Sequence, residues 1–264
     1  MQIEGCVAFV TGAAGGIGGA LVETLARRGA SRIYAADLPG PLAAITAWPA
    51  QAEPLALDVT RAPDVSTAAR QHGDVNLLIN NAAILEFSGL IGMASLDGAR
   101  AQFEVNFWGY LAMCRAFAPV LAGNGGGAIV NILSEAARLN APFVGAYSAS
   151  KAAAWSLTQG VRAELRAQGT HVLAAFPSST DTAMLAGLDG DKESPGDIAE
   201  GIIDGLARGV EDISVGLHAV RFEALSHGDP KAAEREFAQF LPGVRAIPDQ
   251  KLGAIGRGSP VRPD

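Results

Sequence analysis

Charged side chains are scarce. Asp, Glu, Lys and Arg together make up 18% of the 264 residues, below the usual share of about a quarter. With hydrophobic residues at 49%, this excludes a disordered chain, which needs high charge and little apolar content. Basic residues are in the minority, 20 against 27 acidic, for a formal net charge of -7. A phosphate-binding surface needs a basic face, so nucleic acid is not an expected partner. The two cysteines, Cys6 and Cys114, are too few for a disulfide framework, and a reducing cytoplasm is the expected compartment. No apolar run approaches the ~18 residues needed to span a bilayer. The opening MQIEGCVAFVTG lacks the basic residues that begin a signal peptide, so no membrane association is expected. His72, His171, His218 and His227 show no metal-ligand spacing, and no metal is expected.

Glycine, by contrast, is abundant at 32 residues, which suggests tight turns and close backbone approaches. Short apolar runs alternate with longer amphipathic ones. Strands are expected at Val7–Val10, Arg32–Ala36, Pro54–Leu57, Val75–Ile79, Ala128–Leu133, Val172–Phe176 and Ile213–Leu217. Helices are expected at Gly18–Arg28, Pro63–Gln71, Leu96–Leu121, Ala146–Gln168, Pro195–Arg208 and Pro230–Phe240. This alternation reads as a Rossmann-type, doubly wound α/β fold: a parallel sheet of about seven strands with helices on both faces. No linker divides the chain, so one domain is expected over 1–252, with a substrate loop at about 183–195 and an irregular tail at 253–264. In such sheets ligands sit off the carboxyl ends of the strands. Asp37, Asp58, Asn81 and Ser134 all follow strand ends.

The first strand runs into Thr11-Gly12-Ala13-Ala14-Gly15-Gly16-Ile17-Gly18, and a helix follows. Gly12 suits the tight turn, Gly16 the approach of a pyrophosphate and Gly18 the close packing of helix on strand. Asp37 lies about 20 residues further on, at the end of the next strand, where a carboxylate accepts from ribose hydroxyls. It would repel a 2′-phosphate, and the following Leu38 supplies no cation. NAD is therefore the expected cofactor rather than NADP. Tyr147 and Lys151 stand four residues apart on one helical face. A nearby ammonium favours a phenolate, so the pair suits proton exchange with an alcohol or carbonyl oxygen. Lysine is otherwise confined to Lys192, Lys231 and Lys251.

These motifs, in this order, resemble the short-chain dehydrogenase/reductase superfamily in its short, single-domain form. The resemblance rests on Thr11-Gly12 with Gly16 and Gly18, Asn80-Asn81-Ala82-Ala83, Asn106, Ser134 and the Tyr147/Lys151 pair, and runs from about Val7 to Met184. It implies Tyr147 as proton donor and acceptor. Lys151 would lower its pKa and bind the nicotinamide ribose, while Ser134 would hold the reacting oxygen. Asn106 would hold a water that relays protons from Lys151. The resemblance places Gly12, Ala14, Gly16, Ile17, Gly18, Asp37 and Leu38 on the cofactor. It adds Asp58 and Val59 at the adenine, and Asn81, Ala82 and Ala83 along its length. Pro177, Ser178, Thr180 and Thr182 would lie at the nicotinamide side.

Three departures stand out. Ala83 and Ser178 occupy positions where the family often has glycine. The Asp-Gly-Gly that usually ends the last strand is replaced by Ile213-Ser214-Val215-Gly216-Leu217, so the C-terminus is divergent. The substrate pocket is expected to include Leu85, Phe87, Glu135, Phe143, Val144 and Met184, a mainly apolar set. It suits a hydrophobic ketone or secondary alcohol. The resemblance also implies a homodimer or homotetramer paired through the long helices. The leading expectation is an NAD-dependent alcohol dehydrogenase or carbonyl reductase. The alternatives are an NADPH-dependent 3-oxoacyl thioester reductase, or a non-catalytic NAD(H)-sensing protein on the same fold.

Overall fold

The structure, a computed structural model, describes residues 1–188, 190–238 and 240. The expected tail at 253–264 lies outside the described residues. The strands are β1 (Val7–Thr11), β2 (Arg32–Asp37), β3 (Ala52–Ala56), β4 (Leu77–Asn80), β5 (Ala128–Ile132), β6 (His171–Pro177) and β7 (Asp212–Val215). They form one parallel sheet in the order β3-β2-β1-β4-β5-β6-β7. The Rossmann-type α/β architecture is the one the alternating pattern predicts. The chain reverses its direction of growth between β1 and β4, and the crevice at this switch point carries the candidate site.

Side chains of a strand alternate between faces. Ala8 and Val10 of β1 face one layer with Ile33, Ala35, Leu77 and Ile79. Helices α1 (Gly16–Arg27) and α7 (Pro195–Arg208) cover it with Leu21, Val22, Leu25, Ile198, Ile202 and Leu206. Phe9 faces the other layer with Tyr34 and Leu78. Helices α3 (Ala62–Gln71) and α5 (Tyr110–Gly123) close it with Val65, Met113, Phe117 and Leu121. Both faces are dry, which explains why β1, β4, β5 and β6 read as unbroken apolar runs. Cys6 and Cys114 are both buried free thiols in this core.

Four expectations need correction. The helix expected over Leu96–Leu121 is divided into α4 (Asp97–Phe103), a π-helical turn at Glu104–Gly109, and α5. Periodicity does not reveal a one-residue insertion into a helical ladder. The third strand lies earlier, at Ala52–Ala56, and is half exposed because it is the sheet edge. The last strand stops at Val215. Gly216 takes a φ of +96°, and Leu217 opens the unexpected helix α8 (Leu217–Gly228). A short helix α2 (Pro39–Ala44) was also not anticipated. The remaining helices are α6 (Gly145–Leu165), followed by a 3-10 turn at Arg166–Gln168, and α9 (Pro230–Phe237).

Candidate active site

A cavity of about 520 Å³ runs along the carboxyl ends of the strands, from the glycine loop to the start of α6. At one end, Gly12 has a φ of +64°, and a Cβ there would come within 2.8 Å of the Ala82 backbone. A Cβ at Gly18 would strike the Gly12 carbonyl, and one at Gly16 would strike the Thr182 side chain. The three glycines are therefore steric necessities of this turn. The loop is braced from behind. Asn81 Nδ2 donates to the carbonyls of Thr11 and Gly12 at 3.0 Å each. Thr11 Oγ1 accepts from the N–H groups of Asn81 and Ala82. Asn81 thus clamps the loop as well as lining the cavity.

Asp37 closes the other side of the loop. Its Oδ2 accepts from Ala14 N at 2.9 Å and its Oδ1 from Leu38 N at 2.7 Å. Asp58 accepts from the Thr60 backbone and hydroxyl. All the residues expected at a cofactor line this cavity: Gly12, Ala14, Gly16, Ile17, Gly18, Asp37, Leu38, Asp58, Val59, Asn81, Ala82, Ala83, Tyr147, Lys151, Pro177, Ser178, Thr180 and Thr182. Among its described lining residues Lys151 is the sole cation. The glycine turn with its α1 N-terminus, the Asp37 carboxylate and the length of the cavity fit a dinucleotide.

Ser178 does not require the glycine it replaces. No described non-glycine residue has a positive φ, and Ser178 N donates to Val215 O at 3.0 Å in ordinary sheet fashion. A Cβ at Gly216 would collide with the Ser178 hydroxyl. The side chain gained at 178 is accommodated by the one missing at 216.

At the far end stand Ser134, Tyr147 and Lys151. Ser134 follows β5 and its Oγ accepts from Ala136 N at 3.2 Å, capping a 3-10 turn at Glu135–Ala137. Tyr147 and Lys151 project from the first turns of α6 and are both buried. Burial pushes the Tyr147 phenol up to about 12, offset in part by the neighbouring Ser134 hydroxyl and reinforced by the charge of Glu135. Burial moves Lys151 the other way, down to about 7. Both shifts have one cause: each charged form loses its hydration. Burial, rather than the Lys151 charge, is the largest influence on Tyr147 here. Lys151 Nζ is 5.8 Å from the Tyr147 ring centre. It donates instead to the Tyr110 hydroxyl at 3.1 Å and the Ile132 carbonyl at 2.8 Å. Tyr110, which sequence reasoning missed, has only its place at the start of α5 as a signal.

Asn106 is set apart from the other three. It is fully buried in the π-helical turn and does not line the cavity. Its Oδ1 accepts from Ile84 N, and its Nδ2 donates to Ile84 O and Ser150 Oγ, all at 2.9 Å. The side chain ties the segment after β4 to α6. The π-turn supplies the extra backbone rotation that aims it there.

Beyond Ser134 the cavity is apolar. Leu85, Phe143, Val144 and Met184 line it as expected, with Glu135 among them. Phe87 does not. It is half exposed, stacks against Phe143 at 6.3 Å and lines a separate surface groove. Its apolar character alone could not say which side of Phe143 it occupies. The wall that was not foreseen comes from the divergent C-terminus: Phe222 of α8, Phe237 of α9 and Phe240. Phe222 meets Phe237 edge to face at 4.6 Å, and Phe237 meets Phe240 at 5.7 Å. Their spacing across two helices left no periodic signal. The loop between β6 and α7 is drawn together at its neck. Asp181 N donates to Glu193 O and Glu193 N to Ser179 O, both at 2.9 Å. Asp189 in this loop lies outside the described residues.

The family model described as short chain dehydrogenase matches residues 6–193. The chain belongs to this family. The match ends at residue 193, before the helices that carry Phe222 and Phe237. Relatives include the 1-deoxy-11-beta-hydroxypentalenate dehydrogenase of Streptomyces exfoliatus, 35% identical over 212 residues, 75% of each chain. The sorbitol dehydrogenase of Cereibacter sphaeroides is 35% identical over 198 residues, 72% of this chain and 76% of the relative. The galactitol 2-dehydrogenase of Agrobacterium fabrum is 30% identical over 260 residues, 96% of this chain and 90% of the relative. Among solved structures, a short chain dehydrogenase from Burkholderia cenocepacia J2315, in complex with NADP, superposes with a TM-score of 0.85 at 36% identity. That match covers 91% of this chain and 99% of the other. A Burkholderia phymatum member, in complex with NAD, gives 0.76 at 25% identity, covering 88% and 96%.

Proposed function

We propose that this short-chain dehydrogenase interconverts a secondary alcohol and a ketone with NAD as cofactor. The observation that carries the reading is the convergence of Ser134, Tyr147 and Lys151 on the apolar end of the cavity whose other end is the glycine loop. The cofactor would lie with its pyrophosphate at Gly12–Gly18 and its adenosine ribose at Asp37, and when bound it would accept or supply the hydride. The residues of the chain handle the proton. Ser134 positions the reacting oxygen. Tyr147 takes its proton during oxidation and returns it during reduction. Lys151, held by Tyr110 and Ile132, supplies the positive charge that favours the phenolate when the proton leaves. Asn106 acts at a distance by fixing the segment after β4.

Preference for NAD over NADP is supported by Asp37 and by the absence of any cation near it in the described lining. The NADP of the Burkholderia cenocepacia structure belongs to that protein. A small hydrophobic substrate is supported by the wall of Leu85, Phe143, Val144 and the C-terminal phenylalanines. Of the catalytic domain expected over 1–252, residues 241–252 lie outside the described residues. No described helix is long and apolar enough to cross a membrane; the reading places the enzyme in the cytoplasm.

The test combines nucleotide titration with turnover of hydrophobic ketones and alcohols. NADH is expected to bind more tightly than NADPH. Tyr147→Phe is expected to lower turnover by a factor of about 100 or more while NADH still binds. Full turnover by the variant would overturn the role given to Tyr147. Binding of neither nucleotide would overturn the whole reading.

A further inference from the structure

The substrate end of the cavity contains one acidic side chain that no described protein group satisfies. Glu135 lines the cavity immediately after Ser134. Its carboxyl has no hydrogen-bond or ion-pair partner among the described residues, and burial alone pushes it up to about 7. Two cations of the same region, Arg138 and Lys151, are committed elsewhere. Arg138, one 3-10 turn later, pairs with Glu223 of α8 at 2.8 Å and lies over the Phe176 ring at 4.0 Å. Lys151 is spent on Tyr110 and Ile132. A partly buried carboxyl that faces the cavity without a protein partner is a free hydrogen-bonding group for whatever binds there.

Its position defines what that something is. Glu135 adjoins Ser134, and its charge is felt at Tyr147. In the alcohol dehydrogenase reading the reacting oxygen would sit between Ser134 and Tyr147. A polar group on the carbon next to the reacting one is the part of a substrate placed to meet Glu135 in this shared lining. Resting on the alcohol dehydrogenase reading above, we infer that Glu135 selects substrates with a second hydroxyl beside the reacting carbinol, a vicinal diol on an otherwise hydrophobic frame. A hydroxyl both donates and accepts, so it serves a carboxyl in either protonation state near neutral pH. An ammonium would serve only the ionised form and would lie close to the Lys151 charge.

Two matched series test this with the full-length protein and NAD: cyclohexanol against 1,2-cyclohexanediol, and 1-indanol against 1,2-indanediol and 2-amino-1-indanol. The diols are expected to exceed the mono-alcohols in kcat/KM by about tenfold or more. In Glu135→Leu that ratio is expected to fall to near one, and Glu135→Gln should keep part of it. NADH titration of each variant confirms that the cofactor end is intact. A ratio that is near one in the unaltered protein, or that survives Glu135→Leu, overturns the inference and leaves the dehydrogenase reading standing. Preference for the amino alcohol over the diol overturns the hydroxyl assignment. Turnover of none of these alcohols overturns the dehydrogenase reading, and the inference with it.

Discussion

Lys151 Nζ donates to the Tyr110 hydroxyl at 3.1 Å, and both groups converge on one acceptor, the Ile132 carbonyl, which each reaches at 2.8 Å. The buried ammonium is thus held by the end of β5 and the start of α5, two elements brought together only by folding. Lys151 needs its charge to favour a Tyr147 phenolate, and burial works against that charge.

Tyr110→Phe removes one acceptor and leaves the burial. The Lys151 pKa, already pushed down to about 7, should fall further. Its charged form then disappears at a lower pH. The alkaline limb of kcat/KM for ketone reduction is expected to move down by roughly one unit. A pH profile of the variant measures it, and an unmoved limb would show that Tyr110 only fills space.

Asp37→Ala deletes the acceptor for Ala14 N and Leu38 N and the negative charge at the ribose end. NADH affinity should fall about tenfold or more, with NADPH affected less, since hydrogen bonds to a carboxylate are worth ~1.5–3 kcal/mol. Fluorescence titration with both nucleotides reads the ratio. An unchanged ratio would remove Asp37 from cofactor selection.

Gly18→Ala places a methyl group against the Gly12 carbonyl. Backbone cannot yield as a flexible side chain does, so a cost of ~1–3 kcal/mol is expected, lowering Tm by roughly 2–6 °C. NADH binding should be lost with it. Calorimetry and titration test the two effects separately.

Glu223→Gln leaves Arg138 without its ion-pair partner, with its side chain only 6% exposed between Phe176 and Trp155. Helix α8, which carries Phe222 into the cavity, should loosen from the turn after Ser134. Substrate KM is expected to rise several-fold, consistent with a loss of ~1–2 kcal/mol, while the Kd for NADH stays constant. Glu223→Asp should recover part of the loss. A raised Kd for NADH would mean that the pair supports the whole cavity and not the aromatic wall.

Much of this molecule was legible because its signals are local. A Gly-rich turn between strand and helix, an acid at the end of the next strand, and Tyr and Lys one helical turn apart each depend on neighbours in sequence. The sheet follows from them, since dry parallel strands must be apolar throughout. Asn106 was recognised as a residue, but its placement was not. A π-helical turn leaves no periodic trace, and it aims Asn106 at Ile84 and Ser150.

The sequence by itself therefore determined the α/β architecture and the glycine turn, and it singled out Ser134, Tyr147 and Lys151, which line one end of the cavity. Tertiary structure alone decided the rest. It set Tyr110 against Lys151, excluded Phe87 from the cavity and closed the substrate end with Phe222, Phe237 and Phe240. It also left Glu135 without a partner by committing Arg138 to Glu223. The division has a physical cause. Turns and strand ends are governed by backbone geometry within a few residues, whereas burial, pairing and desolvation depend on segments far apart in the chain.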